Sequence, residues 1–208
     1  MTSKRRNDKR PFERARPTRD PKFRILVVCE GKLTEPKYLR DFQHHHRNPR
    51  VHVHVHGEVG VPMTVVQLAA TERSQADRKA KAERDANLKF DEVWAVFDVD
   101  DHPHLEEAIE LAARENVKVA LSNPCFELWA LLHFEDQRAH IARAKLRGRL
   151  QQHMKGYDKE LDFSKLRGNY EAALARAKEL HRIARTNGQS RPNPSTDAYL
   201  LMETIRTK

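Results

Sequence analysis

Residues 23–36 read FRILVVCEGKLTEP, and this stretch decides the fold. Its first seven residues, Phe23 to Cys29, are aliphatic and β-branched with no polar alternation beyond Arg24. They are bounded by Pro21 before and Gly31 after, the pattern of a short buried strand. Thr34, Glu35 and Pro36 then open a helix that runs to about His46. Thr34 is its expected cap, and Pro36 lies in the first turn, where a missing N–H costs nothing. A buried strand passing through one short loop into a helix is the repeating step of a parallel α/β sheet.

The step recurs outward along the chain. Val51 to His56 alternates VHVHVH, which places three valines on one face and three histidines on the other. A polar helix follows from about Met63 to Leu88, a second buried strand from Phe90 to Asp98, and a helix from Leu105 to Glu115. Val117 to Leu121 is a further short strand, and Pro124 to Phe134 a helix beginning just after Asn123. The alternation predicts an α/β fold with a mostly parallel sheet and helices on both faces. From about Arg138 no strand pattern is visible, and helices are expected over 138–154, 168–186 and 195–206. Gly156, Asn187-Gly188 and Pro192/Pro194 break the chain between them. Three regions follow: a basic N-terminal tail over 1–22, an α/β core over 23–136, and a helical C-terminal extension over 137–208 packed on that core.

Composition sets the outer limits. A chain of 208 residues, 38% hydrophobic and 33% charged, supports one core with a small appendage and excludes a multi-domain machine. No run approaches the roughly 18 apolar residues of a membrane span, and the basic, polar N-terminus has no secretory signal, so a cytoplasmic protein without membrane partners is expected. Cys29 and Cys125 sit in apolar segments without a CxxC pairing, the signature of buried thiols and not of a zinc ribbon or disulfide framework. The formal charge of +9 is uneven. Residues 1–22 hold nine Lys/Arg against three acids, with Pro11, Pro17 and Pro21 and almost no apolar side chains, a composition expected to be disordered. Such an arm either attracts phosphate backbones by counterion release or only aids solubility.

In an open α/β sheet, ligands bind beyond the carboxyl ends of the strands. Glu30 follows the first strand directly, and Asp98-Val99-Asp100-Asp101 closes the strand that begins at Phe90. Both clusters, with Glu35 nearby, therefore meet at one rim. Carboxylates gathered in a small volume repel one another unless a cation neutralises them. Hard oxygen donors without an accompanying thiolate favour Mg²⁺ or Mn²⁺, and such sites commonly act on phosphate esters. Either acid segment alone marks only a turn.

A Glu after the first strand and a DxD after a later one resemble the signature of the Toprim fold, the metal-binding domain of topoisomerases, bacterial primases and related nucleases. That resemblance implies Glu30 as metal-linked acid or general acid/base, with Asp98 and Asp100 as metal ligands and Asp101 beside them. A longer resemblance covers about 110 residues. VVCEGKLTEPKYLRDF (27–42), WAVFDVDDH (94–102) and LSNPCFELWALLHF (121–134) together resemble the RloB-like family, Toprim-related proteins of bacterial and archaeal defence loci. It implies a third motif that brings Ser122, Asn123 and Glu127 near the rim, with His133 and Glu135 further along. It also implies an ATPase partner from the same locus and an abortive-infection role. Beyond about residue 135 the resemblance fades.

Read without the resemblance, Asn123 either caps a helix or leaves that helix's free N–H groups to seat a phosphate. Glu127, one turn on, faces the rim beside Asp98, while Phe126, Trp129 and Leu132 pack the core. Lys32 holds a phosphate as a point charge or is a solvated loop residue. Glu35 is a further acid of the site or a residue favoured by the helix dipole. His102 and His104, just after the acids, are placed to move a proton, and His133 has a similar claim or merely packs. His52, His54 and His56 either converge on zinc or form a polar sheet face. Gln137 to Tyr157 contains six Lys/Arg and no acid. Within it Arg143, Lys145 and Arg147 are the candidates for contact with a polyanion.

The function expected from these residues is metal-dependent hydrolysis of RNA or DNA phosphodiesters. The alternative is a non-catalytic nucleic-acid-binding or regulatory subunit of a defence system. Nucleotidyl transfer is a weaker third reading, because none of the seven glycines forms GxGxxG or a P-loop.

Overall fold

Alternation along the first strand divides the molecule into two layers. In the computed structural model, which describes residues 22–48, 50–57, 60–99 and 104–208, strand β1 spans Phe23–Cys29. Ile25, Val27 and Cys29 enter one hydrophobic core, while Leu26 and Val28 enter another on the opposite face. All five are fully buried, which identifies β1 as a central strand covered on both sides. The tail over residues 1–21, together with Asp100, Asp101 and His102, lies outside the described residues.

The elements follow in the order α1 (Thr34–His46), β2 (Val51–His56), α2 (Pro62–Glu83), β3 (Glu92–Asp98), α3 (Leu105–Arg114), β4 (Lys118–Asn123), α4 (Glu127–Leu132), α5 (Arg143–His153), α6 (Phe163–Leu166), α7 (Tyr170–Thr186), β5 (Ser195–Thr196) and α8 (Ala198–Thr207). The sheet order is β2-β1-β3-β4-β5, with the first four strands parallel and β5 antiparallel to β4. Val65, Val66 and Ala69 of α2 and Ala108 and Ala112 of α3 cover one face. Tyr38, Leu39 and Phe42 of α1 cover the other, and that core continues through Leu146 and Leu150 of α5, Ala173 and Ala177 of α7, to Leu201 and Ile205 of α8. The expected α/β fold with helices on both faces and helices at the C-terminal end is the fold observed. Among the described residues no helix is long and apolar enough to cross a membrane.

Four local expectations are corrected. Thr34 does not cap α1: Leu33 occupies that position, and the Thr34 hydroxyl donates instead to the Lys159 carbonyl at 2.8 Å. The polar helix after β2 stops at Glu83, where Arg84 turns left-handed, and Ala86–Leu88 form a separate 3-10 turn whose first N–H groups include one held by Asp85. The helix expected from Pro124 begins at Glu127. Finally, a strand lies inside the segment expected to be wholly helical. The N–H of Asp197 donates to the Leu121 carbonyl at 2.7 Å, and the Ser122 and Thr196 hydroxyls bond at 2.8 Å, which lengthens β4 to Asn123 and adds β5. Two residues are too few to display a period of two.

The histidines of β2 form a polar sheet face. His54 packs edge-on to Phe90 at 5.2 Å and lies 3.3 Å from the Arg24 guanidinium. Burial, with His52 and Arg24 nearby, lowers the His54 pKa to about 4. Among the described residues these histidines form no group able to hold a metal.

The strand order fixes where a ligand can bind. From β1 the chain passes through α1 to β2 on one side, then through α2 across to β3 on the other. The connections diverge between β1 and β3, and the crevice this opens beyond their carboxyl ends is the standard ligand position of an open α/β sheet.

Candidate active site

Glu30 directly follows β1 and Asp98 ends β3, so the two acids meet at that crevice. The Asp98 backbone N–H donates to Glu30 Oε2 at 3.2 Å. They line a cleft of about 500 Å³ with Lys32, Glu35, Glu127, Arg143, Arg147 and Lys159. Four acids and four cations therefore share one cavity.

Each acid is held by a different device. Asp98 is held at both oxygens: Oδ1 accepts the Phe126 N–H at 2.9 Å, and Oδ2 accepts Arg143 at 3.2 Å. Burial, with repulsion from Glu35 added, pushes its carboxyl well above the usual range despite Arg143. The turn before α4, proposed from the sequence as a phosphate seat, thus holds Asp98's own carboxylate. Arg143 also donates to the Pro124 carbonyl at 2.9 Å, which ties α5 to the turn between β4 and α4.

Glu127 is 4% exposed. Burial alone would raise its pKa, but hydrogen bonds from the Cys125 thiol and its own N–H outweigh that, with Arg147 and Tyr157 adding to them, and hold it below the ordinary value. The Tyr157 hydroxyl donates to Glu127 Oε1 at 3.0 Å and Arg147 Nε donates to the same oxygen at 3.2 Å. Arg143 and Arg147 stand one turn apart on α5, which is why both reach the cleft.

Glu35, in the first turn of α1, is 6% exposed. Burial, followed by repulsion from Glu127 and Glu30, raises its carboxyl to about 7, although its own backbone N–H and Arg143 oppose the shift. Gly31 makes room for it: a Cβ there would collide with the Glu35 carboxylate. Gly57, just after β2, supports the loop from behind, since a Cβ would come within 2.9 Å of the Gly31 carbonyl and 2.6 Å of Pro36.

Other sequence candidates fall elsewhere. Ser122 is buried against Thr196, and the Asn123 amide donates to the Arg191 carbonyl at 2.9 Å, so neither lines the cleft. His133 is 2% exposed, with Nδ1 beside the Trp129 carbonyl at 2.9 Å, and burial lowers its pKa to about 4. It is a packed histidine. Lys145 points outward from α5, on the side away from Arg143 and Arg147. His104 is exposed and bonds Glu107 within its own helix turn. Three residues of the site escaped the sequence reading: Lys159, which lines the cleft, and Cys125 and Tyr157, which hydrogen-bond to Glu127. Tyr157 and Lys159 follow Gly156 in an irregular loop, where no periodicity points to a site.

The donor set fits a hard divalent cation better than zinc. Ligand atoms of Asp98, Cys125 and Glu127 lie within 4.8 Å of one another. Burial, then the negative charge of Glu127 and Asp98, pushes the Cys125 thiol far up, so it stays protonated and donates to Glu127. The usable donors are then carboxylate oxygens, the preference of Mg²⁺ and Mn²⁺. Burial first, and then repulsion among the acids, raises the carboxyls of Asp98 and Glu35, and a cation bound beside them would favour their ionised forms.

Compared with known proteins, residues 25–205 match the family model described as RloB-like protein. No curated protein and no solved structure matches the chain.

Proposed function

Since this chain belongs to the RloB-like family, we propose that it is a Toprim-type, Mg²⁺- or Mn²⁺-dependent nuclease that hydrolyses RNA or DNA phosphodiesters. The observation that carries this reading is the meeting of Glu30, Glu35, Asp98 and Glu127 in one cleft at the switch point of the sheet. Glu30 and Asp98 would hold the ion, joined by Asp100 and Asp101 from outside the described residues. When bound, the ion supplies Lewis-acid stabilisation of phosphate charge and activation of water.

The remaining residues have roles that follow from their contacts. The Phe126 N–H and Arg143 fix the direction of the Asp98 carboxylate. The Cys125 thiol and the Glu127 backbone N–H, with Arg147 and Tyr157, keep Glu127 ionised, and the last two orient its carboxylate. Glu35, with its carboxyl near 7, can hold or release a proton at its carboxylate oxygen at neutral pH. Lys32 and the basic face of α5 lower the repulsion between an acidic site and a polyanion. A role in anti-phage or abortive-infection defence with an ATPase partner belongs to this proposal and rests on the family resemblance.

One observation favours the second reading, a non-catalytic nucleic-acid-binding subunit. Asp98 and Glu127 already pair with Arg143 and Arg147, so the protein's own guanidinium groups neutralise part of the acid cluster. Incubating the protein with labelled tRNA, single-stranded DNA and duplex DNA, with Mg²⁺ or EDTA, separates the two. Hydrolysis expects products with Mg²⁺, none in EDTA and none from Asp98→Asn. Binding without products under any divalent ion would support the subunit reading instead.

A further inference from the structure

The cations of the cleft are not equivalent. Arg143 is engaged by Asp98 and Arg147 by Glu127. Lys159 lines the same cleft, yet among the described residues it forms no ion pair, so its ammonium stands more than 4.0 Å from every described carboxylate, those of the cleft included. A cation kept apart from the acids beside it retains its charge for another anion.

The backbone that carries Lys159 is held in place at two points. Two residues before it, the Tyr157 hydroxyl reaches across to Glu127 at 3.0 Å, and Tyr157 itself is 6% exposed. At Lys159 itself, the carbonyl accepts the Thr34 hydroxyl at 2.8 Å, and Thr34 opens α1 directly before Glu35. Lys159 adopts φ +62, a left-handed conformation unusual for a residue with a side chain. The two hydrogen bonds fasten the segment after α5 to the first residue of α1, beside Glu35, and to Glu127 at the start of α4, and the Lys159 side chain lines the cleft.

We infer that Lys159 is a substrate-binding residue that holds a phosphate of the nucleic-acid backbone neighbouring the one at the acids, with Thr34 as its positioning residue. The inference rests on the nuclease reading and adds to it a second phosphate subsite. The cleft would then take a strand that continues past the acids, over the loop that follows α5, and not a mononucleotide. Contact with a backbone phosphate carries no base information, so the same lysine would serve RNA and DNA.

The test measures binding alone, in EDTA so that nothing is cleaved. Fluorescence anisotropy of the full chain is recorded with labelled single-stranded RNA and DNA of one sequence, between about 50 and 200 mM salt. Four proteins are compared: wild type, Lys159→Gln, Lys159→Arg and Thr34→Val. Lys159→Gln is expected to weaken binding about fivefold to tenfold at low salt and to make the log–log salt slope shallower by about 0.7, the single-strand value for one phosphate contact, on both polymers if the shared phosphate is what is recognised. Lys159→Arg should restore the slope. Thr34→Val, which keeps the shape of the side chain but loses its hydrogen bond, should give a smaller loss of affinity in a protein that still melts cooperatively. Wild type that binds while Lys159→Gln keeps the wild-type affinity and slope overturns the Lys159 subsite and leaves the nuclease reading standing. Wild type that binds neither polymer overturns the Lys159 subsite, and the nuclease reading falls with it only if Mg²⁺ also yields no products from either polymer.

Discussion

Replacing Glu35 by Gln should stabilise the metal-free protein at alkaline pH and do almost nothing in acid. The wild-type carboxyl is moved from 4.5 to about 7 by burial and by Glu127 and Glu30. Between those values the folded chain keeps a proton that the unfolded chain has lost, so folding becomes less favourable as pH rises through the window. Above the window the full cost is present, and the shift corresponds to about 3 kcal/mol. Below 4.5 both states are protonated and the cost vanishes. Gln has the shape of the protonated acid and never ionises, so the difference between variant and wild type reports the cost directly. Urea unfolding in EDTA is the assay, read as a change of midpoint at unchanged slope. The expected gain is up to about 3 kcal/mol near pH 8 and within about 0.5 kcal/mol of zero near pH 4. A variant that is no more stable than wild type at pH 8, or whose gain is the same at both values, would refute the claim that Glu35 is a buried carboxyl strained by its neighbours.

Further outcomes follow from the same contacts. Gly31→Ala should cost about 1–3 kcal/mol because its Cβ collides with the Glu35 carboxylate, and thermal or urea melts should show that cost shrinking in a Glu35→Ala background. Gly57→Ala should cost more than Gly31→Ala, since its Cβ meets backbone and a proline ring in place of a side-chain end that can swing away. Tyr157→Phe removes a hydrogen bond to an ionised carboxylate and should lower stability by about 1.5–3 kcal/mol at pH 7. That loss should fall in an Arg147→Ala, Glu127→Gln background, where no ionised partner is left behind.

The parallel sheet was legible because its strands are buried on both faces and read as continuous apolar runs, as FRILVVC and the run ending at Asp98 do. The site was legible to the same extent, because Glu30 and Asp98 follow those runs directly and strand ends determine where side chains emerge. What could not be read depends on contacts across the chain. Thr34 looked like a cap because capping is a local property, but its hydroxyl is taken by a carbonyl 125 residues away. The Asn123-Pro124 turn resembled an anion seat, yet the anion it holds is Asp98, supplied by another strand. Arg143, Lys145 and Arg147 were equivalent as sequence, and only the pitch of α5 sends two to the cleft and one away. β5 owes its strand character to β4 and not to its own two residues. The irregular loop with Tyr157 and Lys159 gave no signal because neither hydrogen bond that fastens it is local.

The central claim is that the acids beyond β1 and β3 form a divalent-cation site. Isothermal titration of Mg²⁺ and Mn²⁺ into wild type and Asp98→Asn at neutral pH tests it most directly, with a thermal melt of each protein to show that both are folded. Saturable binding to wild type and none to Asp98→Asn is expected, although both melt cooperatively. Equal binding to the two proteins, or no binding to a folded wild type, would contradict it.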